Sequence, residues 1–317
     1  MNFTDDGFAA LLLTTALSPN REEYARPLSA GEFRQLEEKV RASRLGRLSK
    51  LMGVDVSGLM IYLDIPEAQA MRLYTLLNRT VEMMYLLEGF ARRGIEAVTC
   101  YDAGYPRRVN RKLGKDAPAV FFRAGDANLT TRRAVAILGV QGVRTSEDVR
   151  GAVRTLVAEV TGRGYTVLTG GEPGVSRVAA EAVAENGGRL LELLGGGLFE
   201  RVGQPDFLAL GNAAAALSLE HPEALFTLSH AAARSRMLFS MADAAFIFNI
   251  DGRRGEGEIL QSHLCDWVYA WEKRPENRSL ITRGAIPFGD LSAWDFDALS
   301  SHWSSSDSEQ LNIFDLL

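Results

Sequence analysis

Between residues 98 and 289, short apolar segments alternate with amphipathic segments, and this pattern restricts the possible folds more than any other feature of the sequence. Of the 30 glycines, 13 fall between Ala134 and Glu200, as expected where tight turns separate such segments. We predict buried strands at residues 119–123, 134–140, 165–169, 190–194, 215–219 and 244–250, and helices at residues 147–163, 176–186, 205–212, 231–241 and 256–267. Apolar strands that alternate with helices indicate an α/β fold, in which a parallel sheet is covered by helices on both faces.

The sequence divides into three regions. Residues 1–97 contain few glycines and are predicted to form a small helical N-terminal domain, with one helix starting near Pro66. Residues 98–289 carry the alternating pattern and form the α/β domain. Residues 290–317 are predicted to be a flexible tail, because the stretch 301–309 is polar and acidic.

The composition excludes several classes of protein. With 46% hydrophobic and 24% charged residues, the 317-residue chain has enough apolar material for a core and is not a disordered chain. No apolar run reaches the ~18 residues that a membrane span needs, so we expect no membrane partner. The net charge of −5 excludes a large basic surface but allows a local basic groove. Cys100 and Cys265 lie far apart without a CxxC motif, which argues against disulfides and structural zinc and favours a reducing, cytoplasmic location.

The first glycine motif follows the strand predicted at 134–140. It contains Gly139, Gln141 and Gly142, and Arg144 comes shortly after it. Loops that follow parallel strands share one edge of the sheet, and such sheets bind their ligands at that edge. Backbone amides at the start of the next helix can hold a phosphate. We therefore interpret this motif either as a phosphate or nucleic-acid backbone site or as an ordinary strand-to-helix turn.

The second motif follows the strand predicted at 165–169 and is more specific. Four of the residues 169–176 are glycine or proline, which gives the loop a tight shape. Gly170, Gly171 and Gly174 permit close backbone approach to a ligand, and Ser176 is placed to cap the following helix. A purely structural turn is the alternative.

Three further segments are candidates. The triple glycine at 195–197 suggests backbone approach to a ligand or a mobile turn. Arg234 and Arg236 stand at the start of a predicted helix, two positions apart, so that one can reach the site while the other makes a structural ion pair. Arg253 and Arg254 lie in a flexible basic loop at the same sheet edge, or in a plain surface loop.

The sequence favours binding over catalysis. His221 is expected to end a strand, and the other histidines are isolated, so each is interpreted as a surface or satisfied side chain. No Ser-His-Asp order, paired carboxylates or zinc pattern stands out, and no loop offers a nucleophile beside a base. We therefore predict that the protein is not an enzyme and needs no cofactor.

The order of these motifs resembles the DprA/Smf family of DNA-processing proteins. Tyr105-Pro106 and the strand at 117–125 resemble the lead-in of that family, and 137–141 its "VGxR" turn. The loop 169–176 resembles "SGxAxGID", 194–197 part of the "GG…VLGxG" stretch, and Arg234-Ser235-Arg236 the "RNR" motif, so that the resemblance covers roughly residues 40 to 285. It implies a Rossmann-like domain that binds single-stranded DNA and loads the RecA recombinase onto it.

Several positions depart from the pattern of the family. The residues that replace its polar groups are Gln141, Pro173, Ser176, Ala180 and Ser235, and the "SGSLxTA" loop of the family is replaced by the glycine-rich segment 252–257. Each change removes a polar group from the expected pocket. Arg144, Arg253 and Arg254 are candidates to restore positive charge at the same edge.

Two alternatives remain open at this point. The loop 169–174 also resembles the "GGGxxGxM" loop of the lysine-decarboxylase-like nucleotide phosphoribohydrolases, which would make the chain a nucleotide-binding or nucleotide-hydrolysing protein. Residues 252–258 lack the "PGGxGTxxE" catalytic motif of those enzymes, so hydrolysis ranks below binding. The third hypothesis is a regulator or antitoxin-type interaction module that has lost DNA binding.

The last residues resemble a known peptide motif. Gln310, Leu311, Ile313 and Phe314 match the "QLxLF" peptide with which many bacterial proteins bind the DNA polymerase sliding clamp. Such a peptide needs a polar anchor followed by aliphatic and aromatic side chains that fill apolar pockets. The alternative is that this segment docks on its own domain or joins two subunits.

Together these observations predict a DprA-like protein of DNA metabolism, acting in recombination, in a mobile element or in antiviral defence. We expect single-stranded DNA as a partner, a homodimer, and contacts with a RecA-like recombinase, the sliding clamp or a neighbouring effector. The predicted nucleic-acid or phosphate contacts are Gly139, Gln141, Gly142, Arg144, Gly170, Gly171, Gly174, Ser176, Arg234, Arg236, Arg253 and Arg254.

Overall fold

The computed structural model describes residues 3–19, 23–139, 145–249, 260, 263–292 and 294–308. The chain forms two compact units, each assembled from separate stretches of sequence. Unit 1 comprises Met1–Thr131, Leu194–Gly211 and Ala215–Ala233, and unit 2 comprises Arg132–Leu193, Asn212–Ala214 and Arg234–Leu317.

Helices and strands alternate through most of the described residues. The helices are α1 (Asp5–Thr14), α2 (Ala30–Ala42), α3 (Val56–Leu63), α4 (Glu67–Leu77), α5 (Thr80–Ala91), α6 (Arg107–Leu113), α7 (Glu147–Gly162), α8 (Val175–Glu185), α9 (Phe199–Val202), α10 (Pro205–Leu210), α11 (Leu228–Met241), α12 (Arg278–Thr282) and α13 (Phe296–Ser308). The strands are β1 (Ile95–Thr99), β2 (Val120–Gly125), β3 (Ala134–Leu138), β4 (Thr166–Thr169), β5 (Arg189–Leu194), β6 (Ala214–Ser218), β7 (Ala244–Ile247), β8 (Val268–Trp271) and β9 (Ile286–Phe288).

These strands form a nine-stranded sheet in the order β1-β2-β6-β5-β4-β3-β7-β8-β9. The sheet is flanked by helices, and the predicted α/β, Rossmann-like fold is confirmed. In the run β5-β4-β3-β7-β8-β9, neighbouring strands are parallel to each other. We had predicted a parallel sheet, but β2 runs antiparallel to both β1 and β6, so the sheet is mixed. Thr99, the end of β1, pairs with Val120, the start of β2, so the connection returns to the edge it left and makes no crossover.

The predicted strands all occur, with ends that differ by at most three residues. The predicted helix at 256–267 falls mostly outside the described residues. Leu260 is helical, but 263–267 are not. His263 there adopts a left-handed backbone with φ 51°, which an α-helix does not accept. Strands β8 and β9 follow this segment and were not predicted.

Side-chain caps and one buried arginine fix the helices of unit 1. Ser29 and Glu32 form a reciprocal capping box at the start of α2, and α4 starts directly after Pro66, as predicted. The sequence reads as one apolar stripe from α4 into α5, but Val81 and Met84 of that stripe are exposed. The stripe is interrupted between α4 and α5 at Arg79. The buried guanidinium of Arg79 donates to the carbonyl oxygens of Leu12 and Thr15. This break turns the exposed face of α5 away from the core.

An aromatic cluster beside β7 and β8 forms much of the core of unit 2. Phe246 stacks on Tyr269 with 4.5 Å between ring centroids, and Trp303 packs edge-on against Phe246 at 6.0 Å. Trp303 is 1% exposed, and its indole Nε1 donates to the Tyr269 hydroxyl at 3.2 Å.

The prediction of a tether from residue 301 is therefore wrong up to Ser308, because helix α13 continues through this stretch. Asp295 accepts from the backbone amides of Asp297 and Ala298 and so starts the helix. Phe296 and Trp303 are seven positions apart, which places both on one helical face, and both are buried. Two apolar anchors at this spacing outweigh the polar composition of the segment.

We expect Trp303→Ala to lower the free energy of unfolding by about 3–5 kcal/mol, because it leaves a cavity in a closely packed aromatic cluster. Urea denaturation followed by circular dichroism measures this change. Ser301→Ala, on the exposed face of the same helix, is the matched control and should change stability by less than about 0.5 kcal/mol. Equal stability of the two variants would show that α13 does not pack on the sheet.

A second expectation concerns acid unfolding of unit 1. The hydrogen bond from Arg72 lowers the pKa of Glu32 from 4.5 to about 2, with further help from the capping contacts to Ser29. A lowered pKa stabilises the folded state above the ordinary value, and this stabilisation is lost as the pH falls from about 4.5 towards 2. In Arg72→Met, stability should therefore fall less steeply across this pH range than in the parent. Parallel stability profiles for the two proteins would contradict this assignment.

Candidate nucleic-acid interface

The carboxyl ends of three neighbouring parallel strands in unit 2 define the candidate site. Strand β3 pairs with β4 on one side and with β7 on the other. Because the three strands are parallel, the loops that follow them leave from the same edge. Gly139 follows β3, the glycine-rich loop 170–174 follows β4, and Asn249 follows β7.

Gly139 is required by close packing at this edge. A Cβ atom at this position would clash with the Val175 side chain and lie 2.6 Å from Asn249 Oδ1. The end of β3 therefore lies against both the start of α8 and Asn249, two residues after β7. The sequence singled out Gly139 for close approach, and the structure shows that protein side chains make that approach.

The loop after β4 turns on glycines. Gly171 and Gly174 adopt φ of 74° and 107°, backbone conformations that favour glycine. Our expectation that Ser176 caps the next helix is wrong. Gly174 occupies the cap position, α8 starts at Val175, and Ser176 is the second helical residue, 3% exposed. The positive φ of Gly174 turns the chain into the helix before Ser176 is reached.

A buried ion pair joins the loop after β4 to helix α11. Arg234 donates from Nη2 to Glu172 Oε1 and from Nη1 to Glu172 Oε2, the latter at 3.3 Å. The two side chains are 7% and 10% exposed. A Cβ atom on Gly170 would clash with both groups, so the pair lies directly against the end of β4.

The two arginines of α11 take different roles. Arg234 is buried in the ion pair with Glu172, whereas Arg236 is exposed. This agrees with the predicted divergence of side chains two positions apart on a helix. Both lie in the middle of α11 and not at its start, because the helix begins at Leu228 after the Thr227 hydroxyl, which accepts from the His230 amide.

The triple glycine after β5 serves packing within unit 1. A Cβ atom on Gly197 would clash with the Pro222 carbonyl, and one on Gly195 would lie 2.8 Å from the Phe226 ring. Gly197 also donates its amide to the Ala224 carbonyl at 2.7 Å. These glycines admit a neighbouring segment of the chain, where we had expected a ligand or a mobile turn.

Several predicted contacts lie outside the described residues, and nothing is assigned to them structurally. They are Gln141, Gly142, Arg144, Arg253, Arg254, Gln310, Leu311, Ile313 and Phe314. The structure therefore brings together Gly139, Gly170, Gly171, Gly174 and Arg234 at one edge of unit 2.

Unit 1 contains a cavity that the sequence did not reveal. Its volume is about 560 Å³, and its wall includes Glu220, His221 and His230. His230 Nε2 lies 3.3 Å from Glu220 Oε2. Burial raises the pKa of Glu220, and the neighbouring His230 opposes this shift. His230 is thus paired with Glu220, ten positions earlier in the chain. Neither helical nor strand periodicity predicts a contact at this spacing.

His221 is nearly enclosed beside this cavity. Burial lowers its pKa, although the Glu223 and Glu23 carboxylates and the Leu17 carbonyl act in the opposite direction. Nδ1 accepts from the Glu223 amide at 3.2 Å, and Phe90 packs edge-on against the ring. The neutral form, with the proton on Nε2, is the state that these contacts favour.

Within the described residues, no cluster of three or more His, Cys, Asp or Glu side chains is arranged to hold a metal ion. None of the helices described here is long and apolar enough to cross a membrane.

One family model matches the chain, and two solved structures of DNA processing protein A share its fold. The family model for DNA recombination-mediator protein A matches residues 96–260, slightly more than half of the chain. DNA processing protein A (DprA) from Streptococcus pneumoniae is 17% identical, with a TM-score of 0.67 over 92% of this chain and 96% of that chain. DNA processing protein A from Helicobacter pylori is 18% identical, with a TM-score of 0.54 over 66% of this chain and 98% of that chain. No curated protein matches the sequence.

At these identities the two solved structures establish a shared fold, and the family assignment comes from the family model. That model spans β1 to β7 and includes the loops 170–174 and 195–197 and both arginines of α11. The resemblance to the DprA/Smf family is thereby confirmed. The chain belongs to the DNA recombination-mediator protein A family.

Proposed function

We propose that this protein binds the backbone of single-stranded DNA at the carboxyl edge of β3, β4 and β7 and acts in DNA recombination without catalysing a reaction. The observation that carries the proposal is the family match, because it includes the strands and loops of this edge in unit 2. The solved H. pylori relative is described as having a single-stranded DNA binding mode, which supports the same ligand class here.

The charges at this edge favour backbone contacts over reading of bases. Arg236 is exposed on α11, and the sequence adds Arg253 and Arg254 shortly after β7. Arginine binds phosphate through its planar fork, and such contacts carry no sequence information. Pro173 and Ala180 stand where the family has polar side chains, which leaves fewer side chains to read a base.

The same side chains offer little for catalysis. Glu172 is held by Arg234, so its carboxylate is not available as a general base. We therefore propose that the protein positions DNA for partners and does not hydrolyse nucleotides.

Fluorescence anisotropy with a labelled single-stranded oligonucleotide tests DNA binding. We expect salt-dependent binding. Arg253→Ala/Arg254→Ala should weaken binding about equally for unrelated sequences, because phosphate contacts carry no sequence information. Each lost phosphate contact should also lower the salt slope by about 0.7. The matched control is Arg132→Ala/Arg283→Ala, which removes two exposed arginines from the opposite, amino-terminal edge of β3 and β9.

Two results would overturn parts of this proposal. Binding by the Arg253/Arg254 variant equal to that of the parent would remove these two arginines from the interface. Absence of binding by the parent at low salt would remove DNA as the ligand, and an interaction module that has lost DNA binding would replace the proposal.

We also propose that residues 310–314 bind the sliding clamp, because their sequence has the polar anchor and apolar side chains of such peptides. In a pull-down with purified clamp, Phe314→Ala should recover much less clamp than the intact chain, because it removes the aromatic anchor. Asn312→Ala, between the anchors, is the control and should recover as much as the parent. Equal recovery by all three proteins, or none by any, would exclude the clamp.

Further partners follow from the proposed activity. A RecA-like recombinase is the partner expected of a protein that delivers single-stranded DNA, and a homodimer would double the DNA contacts. A neighbouring effector, a role in mobile elements or antiviral defence, and a cytoplasmic location are proposals of the same kind.

A further inference from the structure

The ion pair between Glu172 and Arg234 has the geometry of anion recognition. Both guanidinium Nη atoms of Arg234 donate to the two carboxylate oxygens of Glu172. This two-pronged arrangement is the one that arginine uses for carboxylate and phosphate ligands alike. The contact is almost completely shielded from water, with 7% and 10% of the two side chains exposed.

The position of the pair is the one in which a parallel sheet holds a ligand. Gly170 comes directly after β4, and a side chain there would clash with both Arg234 and Glu172. The glycine therefore gives the pair access to the backbone at the carboxyl end of the strand. Ligands of open α/β sheets bind at this edge, and here a carboxylate of the protein itself occupies it.

Hydrogen-bonding capacity remains beside the pair. Arg234 Nε is buried and has no partner among the residues that the structure describes. A carboxylate has two oxygens and both face the Nη atoms, whereas a tetrahedral phosphate has further oxygens to offer to such donors.

We propose that Glu172 acts as an internal substitute for a backbone phosphate, and that an incoming phosphate must displace Glu172 to reach Arg234. The identity of that phosphate as part of a DNA strand rests on the proposed function. Glu172 is covalently attached and held close, so it competes at a high effective concentration. Pro173 adds to this by restricting the backbone of Glu172 to extended conformations. Glu172 thus sets the affinity of this edge for anions.

Thermal unfolding in inorganic phosphate tests the site without DNA. Glu172→Ala leaves a buried, unpaired guanidinium, and we expect its midpoint to fall by on the order of 10 °C. Phosphate at millimolar concentration should restore part of this loss, whereas sodium chloride of equal ionic strength should not. The parent protein should show no such specific response to phosphate.

Two variants control for trivial explanations. Glu185→Ala removes the partner of Arg154 in an exposed ion pair, and its unfolding midpoint should not respond specifically to phosphate. Glu172→Ala/Arg234→Met removes both charges, so the rescue by phosphate should disappear.

Glu172→Gln keeps the shape of the side chain and replaces Glu172→Ala if the alanine variant does not fold. A phosphate response in the double variant, or none in either single variant at position 172, would overturn the proposal.

Binding of single-stranded DNA tests the biological ligand separately. The variants Glu172→Ala and Glu172→Gln should bind a labelled oligonucleotide about tenfold more tightly than the parent, with a salt slope steeper by about 0.7, as expected for one added phosphate contact. Rescue by phosphate without any binding of DNA would support the anion site and contradict the proposed function. Binding of DNA that Glu172 variants leave unchanged, together with no rescue by phosphate, would leave the proposed function intact and contradict the role of Glu172.

Discussion

The parallel pairing of β3 with β4 and β7 is the constraint on which the candidate site depends. Asp243 secures this pairing where β3 and β7 begin, because its carboxylate accepts from the Ala134 amide at 2.8 Å while its own amide donates to the Ala134 carbonyl at 2.8 Å. Asp243 is 5% exposed, and charge-assisted bonds of this kind are strong in a dry environment. With the starts of the strands aligned, their carboxyl ends reach one edge together.

A buried polar side chain also secures the region where β7 and β8 end. Asn277 is 0% exposed, and its side-chain amide donates to the carbonyl oxygens of Phe248 and Trp271 at 3.2 and 2.8 Å. Both carbonyl groups lie at the ends of strands, where buried backbone oxygens need partners. The loops that carry the candidate site therefore leave from a supported sheet edge.

The candidate edge is not simply a basic groove, because its buried arginine is paired with a carboxylate. Arg234 is buried against β4, and Glu172 neutralises it. An unpaired guanidinium in this position would destabilise the folded chain, so the carboxylate stabilises unit 2 at the same time as it occupies the anion position. With Glu172 in its proposed role, stability and affinity for anions are therefore opposed at this site.

The sequence by itself determined the α/β class, the strands β2 to β7 and the glycines at Gly139, Gly170 and Gly174, because apolar runs and glycine turns are local properties. It also indicated that Arg234 and Arg236 diverge. Only the tertiary structure decided that Glu172 pairs with Arg234, that β2 runs antiparallel, and that α13 packs through Trp303. The physical reason is the same in each case: these features arise from contacts between residues far apart in the chain, and local composition carries no record of which distant side chain will supply the partner.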